Sequence, residues 1–448
     1  MAHSSKDLTR GTLWKQILIF SFPLMLSNLL QVLFNMADVA VVGRFAGSAP
    51  LGSVGSTTNI VVMLTGFLVG MGGGVNALVA RFFGAEDKEA VSETVHTAFI
   101  ICLLTGIIVT VCGIAVSRPM LMLLNTKPEL IEGALLYLRI YVLGSPALAM
   151  FNYGNAIFSA VGDTKKPLIY LFAAGIINVI LNLFFVIVID MDVEGVALAS
   201  IISQYISALL VLRSLKKTKD IFALTLSKIS LNKDKALNII SIGIPSGLQM
   251  AVFQTANLFI QTSINSFSAI TVAGNAAAAN ADSIIYNIIA SFYTACSSFI
   301  GQNYGAGKKD RIRKTYRLCF GFSFFIGLGL GLTVLALGPQ FISLFNNEPE
   351  VIAAGMKRLS VIMPAVAFSS LTDNAMSASR GLGKCTVPTI ILLMGSCIFR
   401  IIWVVTVFAY FGTIESLYLL YFFSWTITGI FQIAYFRHIY KKQTAIFN

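Results

Sequence analysis

Gly162-Asp163-Thr164-Lys165-Lys166-Pro167 is the stretch that decides the fold, because its glycine and proline return 221 positions later in Gly383-Lys384-Cys385-Thr386-Val387-Pro388. Pro128-Glu129 returns at the same separation as Pro349-Glu350. Landmarks that recur at one offset indicate that the second half of the chain repeats the first half.

Both halves have the composition of a membrane protein. The chain is 56% hydrophobic and 12% charged, whereas ordinary soluble domains are about 25% charged. Uncharged apolar runs of about 18 residues or more are long enough to cross a hydrocarbon core. We predict twelve spans, at roughly 17–42, 52–79, 93–116, 132–158, 167–190, 194–213, 237–264, 270–300, 315–337, 354–379, 387–411 and 414–437. Because residues 1–10 are polar, we expect no cleavable signal peptide.

The predicted fold is an all-α integral membrane protein of twelve transmembrane helices. Each half holds six spans, an even number, so both halves enter the membrane from the same side and form parallel repeats. We expect two six-helix lobes around a central cleft, residues 1–213 and 237–448, joined by a basic cytoplasmic linker at 214–236. Such internal symmetry is typical of transporters with a site between two lobes.

The basic residues set the predicted orientation. Lysine and arginine gather in alternate connections, so the positive-inside rule places both termini in the cytoplasm. We expect the membrane to be a bacterial-type plasma membrane. This placement explains the net charge of +12 without a nucleic-acid partner. The six cysteines form no C-x-x-C pair and the three histidines form no cluster at membrane depth, which argues against an enzyme or a metal site.

Span 1 carries a polar face. Asn28, Gln31, Asn35 and Asp38 are spaced by 3, 4 and 3 residues, so they share one side of a helix. A central carboxylate costs about 2.5–3.5 kcal/mol on insertion scales, so it points to water, a cation or a proton path. The alternative is an aspartate near the outer interface that reaches toward water.

Neutral oxygen-bearing side chains lie in spans 5 and 6. Asn178 and Asn182 are one helical turn apart, and Ser200 belongs to a polar series in span 6. With Asp38 they could hold a desolvated monovalent cation or hydrogen-bond a protonated acid. They could equally serve as interhelical hydrogen bonds, each worth about 0.6 kcal/mol. The sequence leaves both readings open.

The second half has no matching acid, because Asp38 aligns with Ile260 at an offset of 222. It carries Asp282, Asp373 and a buried Arg400. Either Asp373 contacts a cationic solute, or Arg400 neutralises one of these two acids. Acids and aromatic rings in a cavity suit flat organic cations, although any one ring is more often packed in the core or against lipid. The candidate cleft residues are Gln31, Phe34, Tyr153, Asn257, Tyr286 and Asp373.

Several motifs together resemble the multidrug and toxic compound extrusion (MATE) family. They include Asn35-x-x-Asp38, Gly301-Gln302-Asn303-Tyr304-Gly305-Ala306, Asn178-x-x-x-Asn182 and Arg380-Gly381-Leu382-Gly383. The resemblance covers nearly the whole chain. It implies two six-helix lobes around a cleft and cation influx that drives export of amphipathic, often cationic, compounds.

The resemblance also assigns residues. Asp38 stands at the family's coupling aspartate and Asn178 at a cation-site asparagine. Asn182 stands where several members carry a second aspartate, and Ser200 where they carry threonine, so strong sodium binding is in doubt. Ser369, not Asp373, falls at the position of the acid in helix 10 of NorM-like members. The chain looks closer to DinF-like members or a neighbouring subgroup.

We therefore expect a proton- or sodium-coupled antiporter that exports amphipathic, cationic organic compounds and functions as a monomer. Its partners are a small organic solute and membrane lipid, and it needs no cofactor beyond the coupling ion. Asp38, Asn35, Asn178, Asn182 and Ser200 are the expected coupling residues, and a sodium ion would bind at Asp38, Asn178 and Asn182. The rival reading within transport is a flippase for a lipid-linked saccharide or peptide, which needs a strongly cationic cleft.

Overall fold

A computed structural model describes residues 7–124 and 126–447, and all regular secondary structure within these ranges is helical. The helical segments are α1 (Leu13–Ala46), α2 (Ser48–Gly84), α3 (Lys88–Leu123), α4 (Pro128–Val142), α5 (Ser145–Ala160), α6 (Lys165–Val188), α7 (Val193–Lys217), α8 (Lys233–Ile264), α9 (Ala269–Gly305), α10 (Lys309–Ala336), α11 (Gly338–Ser343), α12 (Pro349–Gly381), α13 (Thr386–Phe411) and α14 (Ile414–Thr444).

The prediction of twelve spans is confirmed. Among the described residues, 11 helices are long and apolar enough to cross a membrane, and the bent pair α4 and α5 makes a twelfth span. Each of them matches one predicted span, and all but two contain it whole; the predicted spans 167–190 and 315–337 run two residues and one residue past the ends of α6 and α10. Helices continue past the hydrocarbon core, so apolar runs mark the membrane-embedded part and not the helix ends.

The predicted span 132–158 is broken. α4 and α5 meet at an angle of 45° after Val142. Pro146, in the first turn of α5, has no N–H to donate to a preceding carbonyl. The hydroxyl of Thr110 on α3 donates to the Val142 carbonyl oxygen at 2.7 Å, so a backbone acceptor at the break keeps a partner.

The helices form two compact units. One contains Leu26–Ala251, and the other contains Leu8–Met25 and residues 252–447. The long helices α1 and α8 therefore each contribute residues to both units. The division of the chain at 213 and 237 stays a prediction.

The connection between α7 and α8 is part of the first unit. The Phe222 ring is fully buried, with its centroid 6.2 Å from that of Phe158. The Thr225 backbone N–H donates to Nε2 of His96 at 3.0 Å, and the Asn232 N–H donates to the hydroxyl of Thr97 at 3.1 Å. This basic linker is thus fastened to the beginning of α3.

In the second unit, two residues of the Gly301–Ala306 motif fasten the segment before α1. Gln302 and Asn303 are fully buried. Gln302 Oε1 accepts the Leu8 backbone N–H at 3.0 Å, and Asn303 Nδ2 donates to the Leu8 carbonyl at 3.3 Å. The Arg311 guanidinium donates to the same carbonyl at 3.1 Å. This motif therefore stabilises the fold.

Within the first unit, glycine lets α2 and α8 meet backbone to backbone. A Cβ on Gly70 would lie 2.6 Å from the Gly247 Cα, so Gly70→Ala must push the helices apart. We expect Gly70→Ala to lower stability by about 1–2 kcal/mol, in the range of overpacking changes, measured as thermal unfolding of the purified protein. Gly55→Ala on the same helix is the control, because its Cβ would meet nothing within 4 Å. Equal melting temperatures for the two variants would contradict this packing.

Candidate ion and solute site

Asp38 lies on α1 within the first unit, and its half-buried carboxylate receives two side-chain hydrogen bonds. Asn182 Nδ2 on α6 donates to Oδ1 at 2.5 Å, and the Ser200 hydroxyl on α7 donates to Oδ2 at 3.2 Å. Among the described residues, no basic side chain lies within 4.0 Å of this carboxylate. The negative charge is therefore met only by neutral donors.

Asn178 completes the cluster. Its Oδ1 accepts from Asn182 Nδ2 at 3.3 Å, and its Nδ2 lies 3.5 Å from the Ser200 hydroxyl oxygen. Asn182 is fully buried, and its Oδ1 has no hydrogen-bond donor in the part of the chain that the structure describes. A buried oxygen without a donor costs about 1–3 kcal/mol, so this atom can accept a proton-bearing or cationic partner at little further cost.

The two helices that carry most of this cluster change their winding beside it. α1 ends in a π-helical turn at Val42–Ala46, four residues after Asp38, and α6 ends in one at Phe184–Val188, two residues after Asn182. Such turns widen the helix and appear frequently at functional sites. The turn in α6 is as apolar as the helix before it, so its composition does not mark it, and Arg44 in the turn of α1 does not by itself indicate a change of winding.

A cavity of about 320 Å³ opens beside the cluster, within the range of small-molecule sites. Its polar lining comprises Gln31, Asn35, Asp38, Thr57, Thr58, Thr65, Tyr137, Tyr141, Asn152, Asn178, Ser200, Ser203, Gln204 and Ser207. Its apolar lining comprises Phe34, Val39, Val54, Val61, Val62, Val69, Leu148, Phe151, Leu171, Ala174 and Gly175. The lining thus combines one carboxylate with neutral polar, aromatic and aliphatic groups.

Sequence reasoning missed part of this cavity. Tyr137 and Tyr141 on α4 line it and stack on each other, with ring centroids 5.8 Å apart. Their spacing of four residues is a signal that could have found them. The threonines of α2 look like ordinary membrane-helix residues and gave no comparable signal. Gly175 also has a role, since a side chain there would collide with the Phe34 ring that forms one wall.

The structure brings Asp38, Asn178, Asn182 and Ser200 into one cluster and places Gln31, Phe34 and Asn35 in the cavity wall. Their roles stay predictions.

The other candidate cleft residues lie elsewhere. Tyr153 is fully buried in the core, outside the cavity lining, where its hydroxyl donates to the Val95 carbonyl at 3.0 Å. Asn257, Tyr286 and Asp373 belong to the second unit.

One interpretation of Arg400 is corrected. It does not neutralise Asp282, because that carboxylate pairs with Arg358 on α12, a residue the sequence reasoning overlooked. Arg400 also has no carboxylate within 4.0 Å among the described residues, so it does not pair with Asp373.

A protein-family model matches the chain twice, over residues 23–184 and 245–406, which together make up more than two thirds of its length. This chain belongs to the MatE family. Members of this family are the MATE multidrug efflux transporters. The two matches begin and end 222 residues apart, so the family model confirms the duplication inferred from the sequence.

Curated relatives are similar over most of their length. The chain is 29% identical over 378 residues to the "Probable multidrug resistance protein YpnP" of Bacillus subtilis (strain 168), covering 83% of this chain and 84% of that protein. It is 23% identical over 381 residues to the "Probable multidrug resistance protein NorM" of Thermotoga maritima, covering 84% and 82%.

A solved structure shows the same fold. The chain superposes with a TM-score of 0.91 on an outward-facing multidrug resistance MATE family transporter of the MOP superfamily, at 21% identity and covering 99% of both chains. The MATE fold is thereby confirmed. The more specific DinF-like assignment stays a prediction.

Proposed function

We propose that this MatE-family protein is a cation-coupled antiporter that exports amphipathic organic cations from the cytoplasm by alternating access. One observation carries the proposal: the Asp38 carboxylate faces a membrane-embedded cavity and has neutral hydrogen-bond donors but no basic partner among the described residues. A carboxylate inside a membrane span needs a cation or a proton to offset its charge. The relatives named as multidrug resistance proteins are consistent with such a cargo.

Asp38 supplies the exchange step. When the carboxylate is charged it attracts a cationic solute, with the aromatic and aliphatic wall holding the solute's apolar part. A proton or sodium ion that reaches Asp38 removes this attraction and frees the solute to leave. Solute and coupling ion must each weaken the other's binding by the same factor, because linkage is reciprocal.

The cluster fits either coupling ion. A proton would sit on an Asp38 oxygen and hydrogen-bond to a neighbouring amide oxygen. A sodium ion would take oxygens from Asp38, Asn178, Asn182 and Ser200, and Asn182 already has an oxygen that lacks a donor. The single carboxylate is a weaker sodium site than a pair would be.

The flippase alternative has less support. A pyrophosphate-linked substrate calls for several basic groups, and the lining of this cavity contains neither lysine nor arginine.

We also propose the orientation and assembly that the sequence predicted, a multi-pass plasma-membrane protein with both termini in the cytoplasm that acts as a monomer. The membership in a membrane transporter family and the bacterial origin of the relatives support the location. Cysteine labelling of the termini in intact cells and in inverted vesicles tests the orientation.

Transport in proteoliposomes tests the proposed function. The protein is reconstituted, a fluorescent monovalent cation is added, and pH and sodium gradients are imposed separately. If one proton exchanges for one monovalent cation, no net charge moves, so each pH unit, about 1.4 kcal/mol, supports roughly tenfold accumulation. An imposed potential of 100 mV, about 2.3 kcal/mol per charge, should then change nothing. If the rate of dye movement is the same with and without each ion gradient, the antiport proposal is refuted.

A further inference from the structure

Arg400 is a charged side chain buried at the middle of a membrane span. It is 1% exposed and lies 14 residues after the start of α13 and 11 before its end. The short α-helical segment Phe399–Trp403 that carries it is flanked by two π-helical segments, Leu393–Ile398 and Val404–Phe408. Irregular winding on both sides of a buried charge marks a position that simple helix packing does not require.

The contacts of Arg400 leave part of its guanidinium unused. Nε donates to the Ser424 hydroxyl at 3.2 Å, and Nη1 donates to Asn257 Oδ1 at 3.1 Å. The rings of Phe253 and Tyr421 lie 5.1 and 4.8 Å from the guanidinium carbon. Nη2 is buried and has no acceptor among the described residues.

The same unit shows how this chain compensates a buried arginine. Arg358 pairs with the Asp282 carboxylate and donates to Asn275 Oδ1 at 2.7 Å. It also faces Tyr421, with its guanidinium carbon 5.8 Å from the ring centroid. Arg400 shares the neighbour Tyr421 and has an amide partner of its own, Asn257, but it has no carboxylate partner among the described residues. Two hydrogen bonds and two rings offset only part of the cost of burying a full charge.

We propose that Arg400 binds an anionic oxygen group, a carboxylate or a phosphate, carried by a transported solute or by a phospholipid. The unpartnered Nη2, together with the second N–H of Nη1, forms a planar fork that matches two oxygens of such a group. Ser424 and Asn257 hold the fork in place from α14 and α8, so it is oriented before the anion arrives. Phe253, Asn257 and Tyr421 are each partly exposed, which gives the anion an approach from their side.

This site is independent of the coupling proposal. Arg400 lies in the second unit, whereas the Asp38 cavity is lined wholly by residues of the first unit. The two sites have opposite charge preference. A binding experiment without ion gradients tests the anion site alone, and its result does not bear on the antiport proposal.

The solute arm uses a matched dye pair, rhodamine B with its free carboxylate and rhodamine B ethyl ester. Fluorescence anisotropy gives the affinity of each dye for purified protein in a phospholipid-free maltoside detergent. We expect Arg400→Gln to weaken binding of the acid by about tenfold, the size of one charge-assisted hydrogen bond, and to leave the ester unchanged. Arg400→Lys should keep part of the preference, and Arg139→Gln, an exposed arginine on α4, should keep all of it.

The lipid arm uses nanodiscs of phosphatidylglycerol, whose phosphate leaves the headgroup anionic, and of phosphatidylcholine, whose choline offsets the charge of the phosphate. If a lipid phosphate is the anion, phosphatidylglycerol should raise the melting temperature of the wild type more than that of Arg400→Gln, and it should compete with rhodamine B. Either arm supports the proposal and identifies the source of the anion. If acid preference and lipid-dependent stability are the same in Arg400→Gln and in the wild type, Arg400 is a packing residue and the proposal fails. Binding of the ester by Arg400→Gln shows that the variant is folded.

Discussion

Proteoliposomes containing Asp38→Asn are expected to show no export of a cationic dye above that of empty vesicles under either a pH or a sodium gradient. Asparagine has nearly the shape of aspartate: its amide oxygen can accept from Asn182, and its amide N–H can donate to the Ser200 hydroxyl oxygen, so the cluster should persist. What it lacks is a charge that a proton or sodium ion can neutralise. The measurement is the initial rate of dye movement after the gradient is imposed.

Asp190→Asn is the matched control, because it makes the same chemical change at an exposed residue between α6 and α7. Asp190 has a φ of 61°, a left-handed conformation that asparagine adopts readily, so the control should fold normally. Rates in the control should equal those of the wild type. Gradient-driven export that survives in Asp38→Asn would remove this carboxylate from the mechanism.

The membrane fold could be predicted from the sequence because each span is a long, uncharged apolar run. The offset between Gly162 and Gly383 predicted the duplication in the same way, as a pattern along the chain. The cluster of Asp38, Asn178 and Asn182 was predictable from helical spacing together with the resemblance. Residue spacing within α1 and α6 was thus enough to predict which side of each helix is polar.

The parts that escaped prediction depend on contacts between distant segments. Tyr153 was predicted to line the cleft, yet it lies inside the core, where its hydroxyl donates a hydrogen bond to the Val95 carbonyl on α3. The partner of Asp282 is Arg358, 76 residues later, and no spacing rule connects them. The π-helical turn at Phe184–Val188 lies within an apolar run, so the composition gives no sign of it. Side-chain partners and local winding therefore had to come from the structure.

The composition of the cluster should affect sodium binding more than it affects proton binding. Only Asp38 provides a negative charge, while Asn178, Asn182 and Ser200 provide neutral oxygens. A proton needs one basic oxygen, but sodium must replace most of its hydration shell. The number of carboxylates in the cluster should therefore shift the balance between the two ions.

Asn182→Asp should make sodium binding at least about thirtyfold tighter, a change of roughly 2 kcal/mol. A second carboxylate about 5 Å from the ion contributes about 3 kcal/mol at an effective dielectric constant near 20, and repulsion between the two acids removes part of this gain. The hydrogen bond from Asn182 to Asp38 is lost, but the bound cation takes its place between the two carboxylates. Equilibrium binding of radioactive sodium to purified protein at fixed pH measures the change.

Asn152→Asp is the control, because it adds the same charge to the cavity wall on α5, where Asn152 bonds the Leu148 carbonyl and not Asp38. Its sodium affinity should rise much less, since a charge outside the cluster cannot coordinate the ion. In transport, Asn182→Asp should respond to a sodium gradient more strongly than the wild type does. If both aspartate variants gain sodium affinity equally, general cavity charge sets ion preference and the geometry of the Asp38 cluster does not.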